Sequence, residues 1–99
     1  MKRIELQVGD WYVDINLKER EVVFTNVNMP KLWNRAYDLP NKKDIDNLQL
    51  LDDTLYLYFE DKTYYDINLS DNQTIIIDEY NQDEHIQEIG CIDINDDEN

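Results

Sequence analysis

Hydrophobic and polar residues alternate from the start of the chain. Ile4, Leu6 and Val8 share one parity and Arg3, Glu5 and Gln7 the other, the period of a strand with one buried face. Beyond Gly9-Asp10 the alternation resumes, with Trp11, Val13, Ile15 and Leu17 inward and Tyr12, Asp14 and Asn16 outward. Lys18-Glu19-Arg20 reads as a polar turn, and residues 21–27, rich in β-branched and aromatic side chains, as the returning strand of a hairpin. The second half follows the same grammar. Residues 45–51 predict a strand, Asp52-Asp53 a turn, and residues 54–59 a strand with Leu55, Leu57 and Phe59 on one side and Tyr56 and Tyr58 on the other. After a turn at Glu60-Asp61-Lys62, Tyr65, Ile67 and Leu69 point one way and Tyr64, Asp66 and Asn68 the other. A polar turn at residues 70–73 leads into residues 74–77, a β-branched run that favours a strand.

Two segments break the pattern. Asn28 is a helix-capping residue type, Pro30 suits a first helical turn, and Leu32, Trp33, Ala36 and Tyr37 recur at helical spacing, so a short helix is expected over residues 30–38, ended by Leu39-Pro40. Residues 83–88 read as one helical turn or a loop, stopped by Gly90, with a short edge strand over residues 91–94. The expected fold is therefore α+β: mainly antiparallel β-sheet built from hairpins, with one short α-helix packed on it. Residues 1–94 are expected to form a single domain, and residues 95–99 a disordered acidic tail. Its expected core is Trp11, Val13, Ile15, Phe24, Leu32, Trp33, Leu55, Leu57, Phe59, Ile67 and Leu69. Residues 12–17 and 64–69 agree at five of six positions, which fits either a duplicated hairpin or a coincidence in a chain rich in Asp, Ile and Asn; Asp93-Ile94-Asn95 echoes the same triplet.

Composition changes the picture at one point, the charge. At 99 residues with 41% hydrophobic content the chain holds enough apolar surface for one core, even though 32% of it is charged. The net charge of −14 is unevenly spread. All nine Lys and Arg lie in the first 62 positions, against twelve acids, whereas residues 63–99 carry eleven acids and no Lys or Arg. Such a balance repels phosphate, which argues against nucleic acid or anionic membrane as partner and for a basic protein surface. With no apolar run long enough to span a bilayer, no signal-peptide pattern and the single cysteine Cys91, the expected setting is cytoplasmic.

The residue types needed for catalysis or cofactor binding are sparse. His85 and Cys91 are the only histidine and cysteine, too few for a structural zinc site, and the expectation is a small packed or edge cysteine and a solvated histidine instead of a nucleophile and base. Two glycines, Gly9 and Gly90, cannot make a phosphate-cradling loop. Asp93, Asn95 and Asp97 alternate like the start of a calcium loop, but Glu98 stands where that loop needs glycine. Carboxylate pairs such as Asp14 with Asp66, or Asp44 with Asp46, read as solvated strand faces. No enzyme activity, cofactor or metal is expected.

What remains is a surface. Carboxylates on alternate residues of a strand and on neighbouring strands repeat at about 6.6 and 4.8 Å, comparable to the spacing of backbone phosphates, so a rigid acidic face can imitate nucleic acid for a basic groove. The candidate acids are Asp66, Asp71, Asp78, Glu79, Asp83, Glu84 and Glu88, with Tyr56, Tyr58, Tyr64 and Tyr80 as amphipathic anchors. The expected partner is a basic protein, a nuclease or other nucleic-acid-binding protein, bound without catalysis. An anti-defence inhibitor of a phage or mobile element, such as an anti-CRISPR protein, fits this description, as does an immunity protein against a toxin nuclease. A structural or assembly component, with a homo-oligomer formed through a strand edge or through Leu32, Trp33, Ala36 and Tyr37, is the other class.

Overall fold

The computed structural model describes residues 3–28, 34–39 and 43–94, and the chain divides into two compact units, Met1–Lys42 and Lys43–Asn99. Unit one is a four-stranded antiparallel meander of β1 (Arg3–Val8), β2 (Trp11–Asn16), β3 (Glu21–Asn26) and β4 (Asn34–Asp38), in that order. Its register places Ile4, Leu6 and Val8 opposite Ile15, Val13 and Trp11, so one face carries the apolar set. Val8, Trp11, Val13, Ile15, Val22 and Phe24 are buried. Gly9, at φ 58°, makes the two-residue turn between β1 and β2, a left-handed conformation that other residues adopt at a cost.

Among the described residues the expected helix is absent. Residues 34–38 form β4 and pair with β3 from Thr25↔Asn34 to Glu21↔Asp38, while the capping and first-turn positions 29–33 fall outside the described residues. Asn-Arg-Ala-Tyr-Asp fits a period of two as well as a helical one, and helix propensities differ by only tenths of a kcal/mol per residue. A ladder along β3, extended by the Leu39 N–H donating to the Arg20 carbonyl at 2.9 Å, outweighs so small a preference. Asn28, expected as a cap, donates its own N–H to the side chain of Asn26 at 2.9 Å. The described chain is thus antiparallel β-sheet, not α+β.

Unit two is a five-stranded antiparallel meander of β5 (Ile45–Leu51), β6 (Thr54–Phe59), β7 (Thr63–Asn68), β8 (Thr74–Asn81) and β9 (Glu84–Asp93). Leu55, Leu57, Phe59, Tyr65, Ile67, Leu69, Ile75, Ile77 and Ile92 are buried, and each such aliphatic side chain contributes roughly 1.5–3 kcal/mol. The expected core residues are buried throughout, except Leu32 and Trp33, which lie outside the described residues.

The second correction concerns β9. Apart from Asp83, which lies in the β8–β9 turn, residues 83–88 are neither a helical turn nor a loop, and no separate edge strand begins at Cys91; one ten-residue strand runs from Glu84 to Asp93. Its register shifts twice, between Ile77↔Gly90 and Asp78↔Glu88 and between Glu79↔Gln87 and Tyr80↔His85, leaving Ile89 and Ile86 as extra residues. Two bulges within five residues destroy the alternation by which a strand is recognised in sequence. The echoed segments 12–17 and 64–69 include equivalent inner strands, β2 and β7, each flanked by antiparallel neighbours and each burying its second and fourth echoed residues, Val13 with Ile15 and Tyr65 with Ile67.

Candidate functional site on the outward face of the second sheet

Residues directly opposite one another in a sheet share a face, so the register alone defines three rows across the side of unit two that its core does not use. The first runs Asn47–Tyr58–Tyr64–Tyr80–His85 over β5 to β9. The second, one step along the strands, runs Gln49–Tyr56–Asp66–Asp78–Glu88. The third runs Leu51–Thr54–Asn68–Ile76–Cys91.

From Tyr58 to His85 the first row is a continuous aromatic ladder. Tyr64 and Tyr80 lie 5.2 Å apart with planes 4° from parallel, Tyr58 is 5.3 Å from Tyr64, and His85 meets Tyr80 edge-on at 5.2 Å. Tyr56 joins from the second row, 6.2 Å from Tyr58 and 5.9 Å from Tyr64. Such ring pairs contribute roughly 0.5–1.5 kcal/mol beyond their buried area, so the ladder is stiff and its rings stay half-exposed.

The second row is acidic. Asp66 stands directly opposite Asp78 on one side and Tyr56 on the other. Burial pushes the Asp66 carboxyl above the ordinary carboxylate value, and the Asp78 charge adds to it. Asp78 in turn accepts or shares a contact with His85 Nε2 at 3.1 Å, and Glu88 extends the row on β9. The same environment raises the phenols: Tyr56 and Tyr64 are held above their ordinary value by burial first, then by Asp66 and by Asp83 respectively. Like charges directly opposite each other destabilise a sheet, so the Asp66–Asp78 pair adds nothing to folding.

Six of the eleven candidate residues therefore meet as one patch, Tyr56, Tyr58, Tyr64, Tyr80, Asp66 and Asp78, with Glu88 at its edge. Asp83, in the β8–β9 turn, lies within electrostatic reach of Tyr64, and Glu84 begins β9 beside that turn. Glu79 is set apart: it is opposite the buried Tyr65, on the other side of the sheet, and accepts from Gln87 at 2.8 Å. Asp71 closes the β7–β8 turn by accepting the Gln73 N–H at 2.8 Å. His85 is exposed, as expected of a solvated side chain, and also meets the ladder at its β9 end; the exposed apolar side chains Leu51 and Ile76 (54% and 37% exposed) lie on the same face. Sequence alternation through Leu51 and Ile76 could have marked both as outward; His85 could not be placed without the bulges.

His85 and Cys91 share the outward side but sit two rows apart, about 13 Å by strand geometry, so they do not form a nucleophile–base pair. Among the described residues no group of three or more His, Cys, Asp or Glu is arranged to hold a metal ion, and no helix is long and apolar enough to cross a membrane. No protein family, curated protein or solved structure matches the chain.

Proposed function

We propose that the protein acts without catalysis, by docking the outward face of its second sheet onto a basic protein and occupying the surface that protein uses for nucleic acid. The observation that carries this reading is the Asp66–Asp78 pair, set beside a stacked tyrosine ladder in a half of the chain that contains no Lys or Arg beyond residue 62. Like charges directly opposite each other on adjacent strands add nothing to the fold, whereas a cationic partner relieves their repulsion. Asp66, Asp78 and Glu88, on successive strands about 4.8 Å apart, supply a phosphate-like row, and the tyrosines supply rigid contact area. An anti-defence inhibitor of a mobile element and an immunity protein against a toxin nuclease are the two cellular forms this activity takes, both in the cytoplasm.

The test is a pull-down from bacterial lysate at about 0.1 M and about 0.5 M salt, with the unaltered protein and with Asp66→Lys/Asp78→Lys. A basic nuclease or other nucleic-acid-binding protein retained only by the unaltered protein, and lost at the higher salt, is the expected result. A retained set that ignores the double substitution removes this face from the mechanism. Recovery of nothing but a salt-resistant oligomer of the protein itself favours an assembly component.

A further inference from the structure

We infer that the open edge of β5 takes up an extended segment of a partner protein as an added strand, and that this segment is apolar at alternate positions with a Lys or Arg at each end. The site is a backbone edge and not the acid–tyrosine face, so it stands whether or not that face docks. Among the described residues β6 is the only strand paired with β5, and Asn47, Gln49, Leu50 and Leu51 are exposed. Opposed residues of an antiparallel pair alternate between those that share hydrogen bonds and those that do not. Leu51↔Thr54 closes the two-residue turn Asp52-Asp53, so Leu51 and Gln49 bond to β6, and Leu48 and Leu50 turn their N–H and C=O groups to the open side.

The other edges of the two sheets carry the charges and bulges that discourage pairing. β1 has Arg3 and Glu5, β4 has Arg35 and Asp38, and β9 has two bulges with Glu84 and Glu88. β5 has one bulge, at Asp46, and beyond it Asn47-Leu48-Gln49-Leu50-Leu51 runs in register without a charge. Burial also stops short at this edge. Leu55, Ile67 and Ile77 form one row of the core face and are fully buried, whereas Leu50, the β5 end of that row, is 44% exposed. An apolar residue added opposite Leu50 continues the row, and the next position on the same face is opposite Leu48. Charge decides between a foreign segment and a second copy. Asp46 and Asp52 bracket the uncharged run in a chain of net charge −14. Two copies pairing antiparallel about Gln49, the register that sets Leu48 against Leu50, would also set Asp46 against Asp52 at both ends, and like charges so placed oppose pairing. A segment with a cation at each end meets opposite charge instead.

The test is an amide NMR titration of the full-length protein with the capped peptide Lys-Thr-Val-Thr-Val-Thr-Lys, taken to millimolar concentration at about 0.15 M salt. Shifts should be confined to β5 and its flanks, and the Leu48 and Leu50 N–H groups should exchange quickly in the free protein and slowly in the complex. Ser in place of both Lys should weaken binding by up to about fivefold for each end. Methylating the two Val nitrogens, which removes the donors facing Leu48 and Leu50, should abolish it. Asp66→Lys/Asp78→Lys, two and three strands from β5, should bind the peptide to within about twofold of the unaltered protein. No binding of the Lys-ended peptide, binding that survives methylation, or shifts that fall on Tyr64, Tyr80 and Asp66 overturns the edge inference and leaves the docking reading to its own pull-down. Shifts of Leu48 and Leu50 that depend on protein concentration alone would seat a second copy at the edge and equally overturn it. A pull-down that ignores Asp66→Lys/Asp78→Lys, with peptide binding intact, removes the docking face and keeps the edge.

Discussion

Replacing Asp66 by Asn should stabilise the protein at neutral pH. Asp66 is directly opposite Asp78, and its carboxyl titrates above 3.8 because burial and the facing carboxylate both disfavour its charged form. Asparagine keeps the shape and removes one of the two charges. Like-charged cross-strand pairs cost roughly 0.2–1 kcal/mol, and ~0.5 kcal/mol raises the melting temperature of a chain this size by about 3 °C.

The pH dependence fixes the cause. Because the folded state holds the Asp66 proton more tightly than the unfolded state, stability falls as pH rises from 3.8 through the raised folded value. Below 3.8 Asp66 is protonated in both states and the substitution should gain almost nothing. Thermal melts followed by circular dichroism at about pH 7 and about pH 3 test both points. A gain in Asp66→Asn/Asp78→Asn smaller than the sum of the single gains would show that the two share one repulsion. A variant less stable than the parent at pH 7, or equally stabilised at both pH values, refutes the reasoning.

Three further expectations follow from the rest of the fold. Asp61 is held down to about 2 by Lys43 and by Thr63, so its contribution is present above 3.8 and lost as pH falls towards 2; carboxyl carbon NMR should place its midpoint near 2, and Asp61→Asn should abolish that acid-side loss. Leu57→Ala, at a fully buried position in β6, should cost about 2–5 kcal/mol in urea unfolding. Gly9→Ala meets no atom within 4 Å, so its cost is the left-handed backbone alone, roughly 1–2 kcal/mol, and Gly9→Asn should recover part of it.

Most of the strands were legible because their inward residues alternate without interruption: Trp11-Val13-Ile15 and Leu55-Leu57-Phe59 can be assigned a buried face from sequence. Residues 34–38 were not legible, since five residues compatible with two periods are decided by a ladder that only the folded sheet provides. At the site, the tyrosines and Asp66 follow from parity, but their grouping does not. That Tyr64 meets Tyr80, and Asp66 meets Asp78, depends on the length of the turn at residues 70–73, and His85 reaches the ladder only through the bulge at Ile86. Glu79 falls on the other side of the sheet from the patch, because a run of charge says nothing of which face each member takes.

The echo between residues 12–17 and 64–69 supplies an internal comparison. Asp14 and Asp66 occupy the same place in it, one at the middle of β2 and the other in β7 with the equivalent flanking residues buried. Their electrostatic fates are opposite. Arg3 donates to Asp14 through Nε at 2.8 Å and Nη2 at 2.6 Å and holds the carboxyl below its ordinary value, while Glu5 accepts from the Tyr12 hydroxyl beside it. Each acid stands directly opposite another, Asp14 opposite Glu5 and Asp66 opposite Asp78, but Asp14 also holds Arg3, whereas Asp66 is governed by burial and by the Asp78 charge. One substitution should therefore have opposite signs at the two sites. Asp14→Asn should lower the melting temperature at pH 7, with the difference shrinking as pH falls below 3.8, and Asp66→Asn should raise it. A shared sign would mean that both acids are mere solubilising charge. Opposite signs would mean that an outward acid stabilises the fold where a cation of the chain pairs with it and costs stability where it faces only burial and a second acid.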